Sequence, residues 1–249
     1  MKFVVRSILL VVLSSSLSSL SHANSALLNH AQAAFQAMSA MYMKALSAGS
    51  AKYQGDLDRF KAQALESLSL FQQQNLQLGS EWMGRWLALT DNLKVEYSAE
   101  YDWDVDAAIR RDARSYLTDL YALIATDNTL QRHAPQSLYA QVEVQAITAR
   151  FFDVSSTYNG TNSLAPSDAD RLQPKVVSER FKTRLDELAK GADSATAKRI
   201  LAAKQKWMFV ENNVVNYSDQ SAYFLVYATK NKITKELESA GSILAASNL

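Results

Sequence analysis

Ile200-Leu201-Ala202-Ala203-Lys204-Gln205-Lys206-Trp207-Met208-Phe209-Val210-Glu211-Asn212-Asn213-Val214-Val215-Asn216-Tyr217 carries the plainest structural signal in the chain. Ile200, Ala203, Trp207, Val210, Val214 and Tyr217 alternate steps of three and four, the spacing that puts them on one face of an α-helix. The same spacing links Leu57, Phe60, Ala64, Leu68 and Phe71, and again Ile109, Ala113, Tyr116, Leu120 and Leu123. It predicts helices near 26–48, 55–78, 80–97, 105–126, 136–157, 174–190, 193–217 and 220–240. With 7 glycines and 3 prolines in 249 residues, breaks are rare, and long helices with short connections follow.

The expected breaks are Ala48-Gly49-Ser50, Gly79-Ser80, Asp127-Asn128 with Pro135, and Gly191-Ala192-Asp193, the last a C-cap followed by an N-cap. Ser155–Pro174 is the one long loop, rich in small polar residues. The amino terminus reads as a leader. Lys2 and Arg6 precede an apolar run from Ile8 to Leu13, and Ser21-His22-Ala23 supplies a small-x-small cleavage site. Cleavage after Ala23 leaves Asn24–Leu249 and takes the formal charge from +1 to −1, since Lys2 and Arg6 are lost. The expected location is the periplasm or the exterior, with no membrane-embedded part after cleavage. A near-neutral chain gives no electrostatic case for nucleic acid, and 0 cysteines exclude disulfides and thiol chemistry.

The two halves repeat. Ala31-Gln32 with Gln36-Ala37-Met38-Ser39-Ala40 matches Ala140-Gln141 with Gln145-Ala146-Ile147-Thr148-Ala149. Arg59-Phe60-Lys61 precedes Trp86 as Arg180-Phe181-Lys182 precedes Trp207, and Asn-containing segments follow to Tyr97 and Tyr217. Three ordered matches imply duplication: an all-α protein of two tandem up-down four-helix-bundle modules, 24–130 and 131–249, the 155–174 loop an insertion in the second, and no significant sheet.

Catalytic chemistry has few carriers. Beyond the leader only His30 and His133 could titrate near neutrality, and both are read as surface or capping residues. Asp102, Asp104 and Asp106 begin like a calcium loop, but Ala107 and Ala113 stand where that loop needs Gly and Glu. They are read instead as caps of the helix carrying Ile109. Met38, Met41 and Met43 have the chemistry for a soft metal, yet on an apolar helix they read as adaptable core. No cofactor or metal is expected, and the chain is read as a non-enzyme.

Gln36-Ala37-Met38-Ser39-Ala40-Met41, Gln145-Ala146-Ile147-Thr148-Ala149-Arg150 and the helix from Lys206 through Tyr217 resemble the PilJ-type sensor module. That module is the extracytoplasmic helical part of type IV pilus chemotaxis transducers and NarX-like nitrate/nitrite sensors. The resemblance implies a soluble sensor-like or ligand-binding accessory of a membrane signalling partner, with Gln36, Ser39, Gln145, Thr148 and Arg150 as candidate ligand contacts. The basic residue that opens the module's motif is Gln in both copies, and its closing Arg survives only as Arg150, so nitrate binding does not carry over. The alternative is a structural, adaptor or chaperone-like protein of the cell envelope that binds no small molecule and docks through Tyr101, Trp103, Trp82 and Arg85. Ligand, partner and oligomeric state stay open at this level.

Overall fold

A computed structural model of the protein describes residues 25–128, 134–157 and 172–247. The expected leader, His133 and most of the 155–174 loop lie outside the described residues. Among the described residues, eight α-helices follow one another: α1 (25–46), α2 (Ala51–Gln74), α3 (Leu76–Thr90), α4 (Ala107–Thr126), α5 (Gln136–Ser155), α6 (Pro174–Lys190), α7 (Ser194–Asn216) and α8 (Tyr223–Ser247). The protein is all-α, with one small two-stranded antiparallel hairpin, β1 (Glu96–Ser98) and β2 (Asp102–Asp104), in which Tyr97 faces Trp103.

The outer helices bury one stripe each, as their spacing requires: Tyr53, Leu57, Phe60, Ala64, Leu68 and Phe71 on α2, and Ile200, Ala203, Trp207, Val210 and Val214 on α7. α1 and α5 differ. Asn29 is the one exposed residue of α1, and α5 has none. A helix so covered tolerates few unpaired charges: 25–43 contains no Asp, Glu, Lys or Arg, and the buried acids of α5, Glu143 and Asp153, are held by arginines. Its alanines let neighbours come close. α1 and α5 lie side by side and parallel: Gln32 donates to Gln141 at 3.1 Å near their starts, and Arg110 joins Tyr42 to Asp153 near their ends. The buried apolar side chains of both halves form one continuous cluster.

Around this pair, α5, α6, α7 and α8 pack in sequence order and α8 returns to α5, while α3 packs between α2 and α4. Caps fall where short polar side chains precede helices. Asp106 accepts from the backbone N–H groups of Ala108 and Ile109, and Asp193 from those of Ala195 and Thr196. Ala48 and Gly49 both take left-handed backbone conformations and end α1.

Two expectations are corrected here. The helix expected over 80–97 stops at Thr90, where Asp91 and Asn92 end it and the chain turns into the hairpin, anchored by buried Val95 and Val105. Tyr97 is therefore an exposed strand residue, whereas Tyr217 is the left-handed C-cap of α7, stacked on Phe151. Gly79 is also no helix terminator. The break falls at Asn75, and Gly79 lies inside α3 where that helix crosses α2.

At that crossing a β-carbon on residue 79 would sit 2.3 Å from the Gln72 backbone, while Gly84 on the same helix has open space. Gly79→Ala is expected to lower stability by about 1–3 kcal/mol through overpacking. Gly84→Ala is expected to raise it by roughly 0.5–1 kcal/mol through helix propensity. Urea titration of the two variants checks both signs.

Candidate ligand-binding cleft

Beside the central α1–α5 contact, the first and second halves meet along two further lines, and they differ in chemistry. On one side α4 faces α5 and α6 through charged contacts. Asp153, 2% exposed, accepts from Arg110 Nη1 at 2.9 Å and Arg114 Nε at 2.6 Å, with Arg150 at 3.7 Å. Arg110 also reaches Asp104 at 2.9 Å. Farther along, Arg180 donates to the Tyr121 hydroxyl at 3.2 Å, and Tyr139 donates to the Ile124 carbonyl at 2.7 Å. Within the second half, Arg184 forks onto buried Glu143 at 3.0 and 3.1 Å and also contacts Gln136. Burial pushes the Glu143 carboxyl upward against the pull of that arginine.

On the other side α2 faces α8 across an open cleft of about 590 Å3. That volume suits a small organic ligand. α2 turns Lys52, Tyr53, Asp56, Arg59 and Phe60 toward it, spaced by one helical turn and two. α8 supplies Phe224, Tyr227, Asn231, Thr234, Lys235 and Glu238, and Gln36 of α1 reaches the same space. Tyr227 bridges the two walls. Its hydroxyl donates to Asp56 Oδ2 at 3.0 Å, and its ring meets Tyr53 edge-on at 5.2 Å. Arg59 holds the other Asp56 oxygen at 2.7 Å.

Directly behind this wall lies Lys230, 1% exposed. Its Nζ donates to Gln145 Oε1 at 2.9 Å and sits 4.5 Å from the Tyr227 ring centre and 6.0 Å from that of Phe152. Gln145 Nε2 in turn donates to Thr234 Oγ1 at 2.9 Å. Burial lowers the Lys230 ammonium to about 7, partly opposed by Asp56. A buried lysine held by a neutral amide is a poor structural choice and a familiar functional one.

A second buried polar site lies between α1, α2 and α4. His30 Nδ1 is 2.8 Å from the Ala64 carbonyl, which can only accept, so the proton is on Nδ1. Nε2 then accepts from the Tyr116 hydroxyl at 2.6 Å. Trp86 and Tyr116 pack edge-on to the imidazole, and Trp82 packs edge-on to Tyr116. His30 is thus a core residue and not the expected surface or cap residue; burial lowers it to about 4 and keeps it neutral.

The candidate ligand contacts from the sequence separate. Gln36 reaches the cleft, and Gln145 stands one hydrogen bond behind it. Ser39 and Thr148 do not: both are fully buried, and their hydroxyls donate to the helical carbonyls of Phe35 and Val144. Arg150 belongs to the Asp153 cluster, beside a cavity of about 20 Å3 with room for a water molecule. The four-residue docking patch does not assemble either. Trp82 is buried against Tyr116, and Arg85 lies over its ring at 4.5 Å while pairing with Asp119 at 2.6 Å. Trp103 sits on the other end of the bundle, half-buried against Gly49 and below Lys44, with Tyr101 exposed nearby on the hairpin. Met38, Met41 and Met43 are fully buried core. Among the described residues, no three His, Asp or Glu side chains gather as a metal site would need, and no helix is long and apolar enough to cross a membrane.

Comparison with protein-family models, curated proteins and solved structures gives no match. The cleft therefore stands on its own geometry. Sequence reading missed Tyr53, Asp56, Tyr227 and Lys230, although one signal was present: Val226, Lys230, Ile233, Leu237 and Ala240 step by four and three, which places a lysine on a buried stripe.

Two pH effects follow. Unfolded His30 titrates at 6.5 and the folded residue at about 4, so stability is whole above 6.5 and falls as pH drops toward 4. The loss is about 3 kcal/mol, and His30→Gln should flatten it in denaturant titrations across that window. Lys230 acts with the same sign in a higher window. It binds fewer protons folded than unfolded between about 7 and 10.5, so wild-type stability rises with pH there. Lys230→Met should stabilise by roughly 1–4 kcal/mol below pH 7, the gain shrinking toward pH 10. A variant less stable than wild type at pH 6 contradicts this.

Proposed function

We propose that this protein is an exported, non-enzymatic helical binding protein that takes up a small molecule between α2 and α8 and reports its presence to a membrane signalling partner. The observation that carries this reading is the cleft of about 590 Å3 whose walls come from opposite halves of the chain, so that an occupant touches both. Aromatic rings give it area to stack on, and charges of both signs around its mouth give it orientation. Export rests on the amino-terminal Lys2-to-Ala23 pattern, and the tandem modules on the repeated motifs. The likeness to the PilJ-type sensor module supports the partner class.

A second reading keeps its own support. Met208 and Phe209 on α7 are 60% and 69% exposed, and Phe224 and Leu225 near the start of α8 are also open. Large apolar side chains so presented suit docking to another envelope protein.

A thermal-shift screen of residues 24–249 against amino acids, small carboxylates, amines and short peptides separates the two. A ligand at a hundred times its Kd adds about 2.7 kcal/mol, a shift of roughly 5–10 °C for a chain of this size. The shift should vanish in Asn231→Trp, which fills the cleft. No shift with any class, together with recovery of an envelope protein whose capture is lost in Phe209→Glu, favours the docking reading. Recovery of the full chain in the cytoplasm instead of the osmotic-shock fraction contradicts export.

A further inference from the structure

We infer that the cleft selects a ligand that joins a carboxylate to a flat apolar or aromatic body, and that Lys230 is the counter-charge for that carboxylate. The inference rests on the cleft being a binding site. Its rim carries three basic side chains, Lys52, Arg59 and Lys235, against two acidic ones, Asp56 and Glu238. Both Asp56 oxygens are already engaged, one by Arg59 and one by the Tyr227 hydroxyl. The balance is therefore positive before Lys230 is counted.

Lys230 adds the decisive charge because of its position. Its Nζ lies behind a thin wall, the Tyr227 ring on one side and the Gln145–Thr234 hydrogen bond on the other. Tyr227 and Thr234 line the cleft, and so does Gln36. The carboxylate passes Gln36 and Thr234 and replaces Gln145 Oε1 as the acceptor of the Lys230 N–H. That exchanges a hydrogen bond to a neutral amide for one between opposite charges, inside a low-dielectric wall where the gain is largest. The aromatic body then lies among Tyr53, Phe60 and Tyr227.

The groups facing Lys230 are few. α2 presents Asp56 and, behind Tyr227, Tyr53. α5 presents Gln145 and Phe152, neither of which titrates. α8 itself presents Tyr227. α7 packs against α8 through Arg199 and Lys206, which pair with Glu236 away from this pocket. The bound carboxylate holds the proton on Lys230, so binding takes up a proton wherever the empty site is neutral, above about pH 7.

Three probes with one body and different heads test this: phenylacetate, phenylacetamide and phenethylamine. Isothermal titration at pH 6.5 is expected to show phenylacetate binding roughly thirtyfold tighter than the amide, the worth of a charge-assisted hydrogen bond. Lys230→Met, which keeps the shape of the stem, should bring phenylacetate down to the level of the amide. Raising the pH from 6.5 to 8.5 should weaken phenylacetate by about tenfold per unit above 7, with proton uptake seen as a buffer-dependent enthalpy. Equal binding of all three heads, unchanged by Lys230→Met but lost in Asn231→Trp, overturns the role of Lys230 and leaves the cleft reading standing. Binding untouched by Asn231→Trp, or no binding of any head up to millimolar concentration, overturns both.

Discussion

The enclosure of α1 and α5 is the constraint on which the structure depends. Two parallel helices covered on nearly every side leave little solvent for the polar groups they carry, so most of those groups pair within the protein. His30 finds the Ala64 carbonyl and the Tyr116 hydroxyl; Gln145 finds Thr234 and Lys230; Glu143 and Asp153 find arginines from neighbouring helices. The outer helices are placed by these needs as well as by their apolar stripes. A fully buried Leu or Phe contributes roughly 1.5–3 kcal/mol, but it sets no direction, whereas each of these hydrogen bonds fixes which helix stands where.

That division of labour makes the two sides of the molecule unequal. Where α4 meets α5 and α6, guanidinium groups close the contact, and removing one partner would strand a charge in the interior. Where α2 meets α8, a tyrosine hydroxyl and an edge-on ring pair bridge a space that side chains do not fill. The protein has one closed contact and one open, and the open one is where a buried amine waits behind the wall.

Most helices were legible because their apolar residues recur at steps of three and four, and α6 and α7 fall almost where the spacing put them. α3 was misjudged at its end because Leu93, Val95 and Tyr97 continue an apolar count that β-branched and aromatic residues satisfy equally well in a hairpin. The near-complete burial of α1 has a visible cause in the sequence, the lack of charge over 25–43. The cleft was less accessible still. Gln36 was singled out and belongs to it, but its walls are residues such as Asp56 and Tyr227 that local periodicity cannot bring together. Ser39, Thr148 and Arg150 were drawn from the same motif as Gln36, yet helix geometry turns them to other faces.

The Asp56–Tyr227 contact spans 171 positions of sequence, and Gln36 of α1 lies at the cleft that α8 walls on one side. Contacts of such sequence separation cost loop-closure entropy, which slows folding relative to a bundle built on local contacts alone. During synthesis α1 emerges long before α8, and its apolar surface is the place where self-association competes with folding.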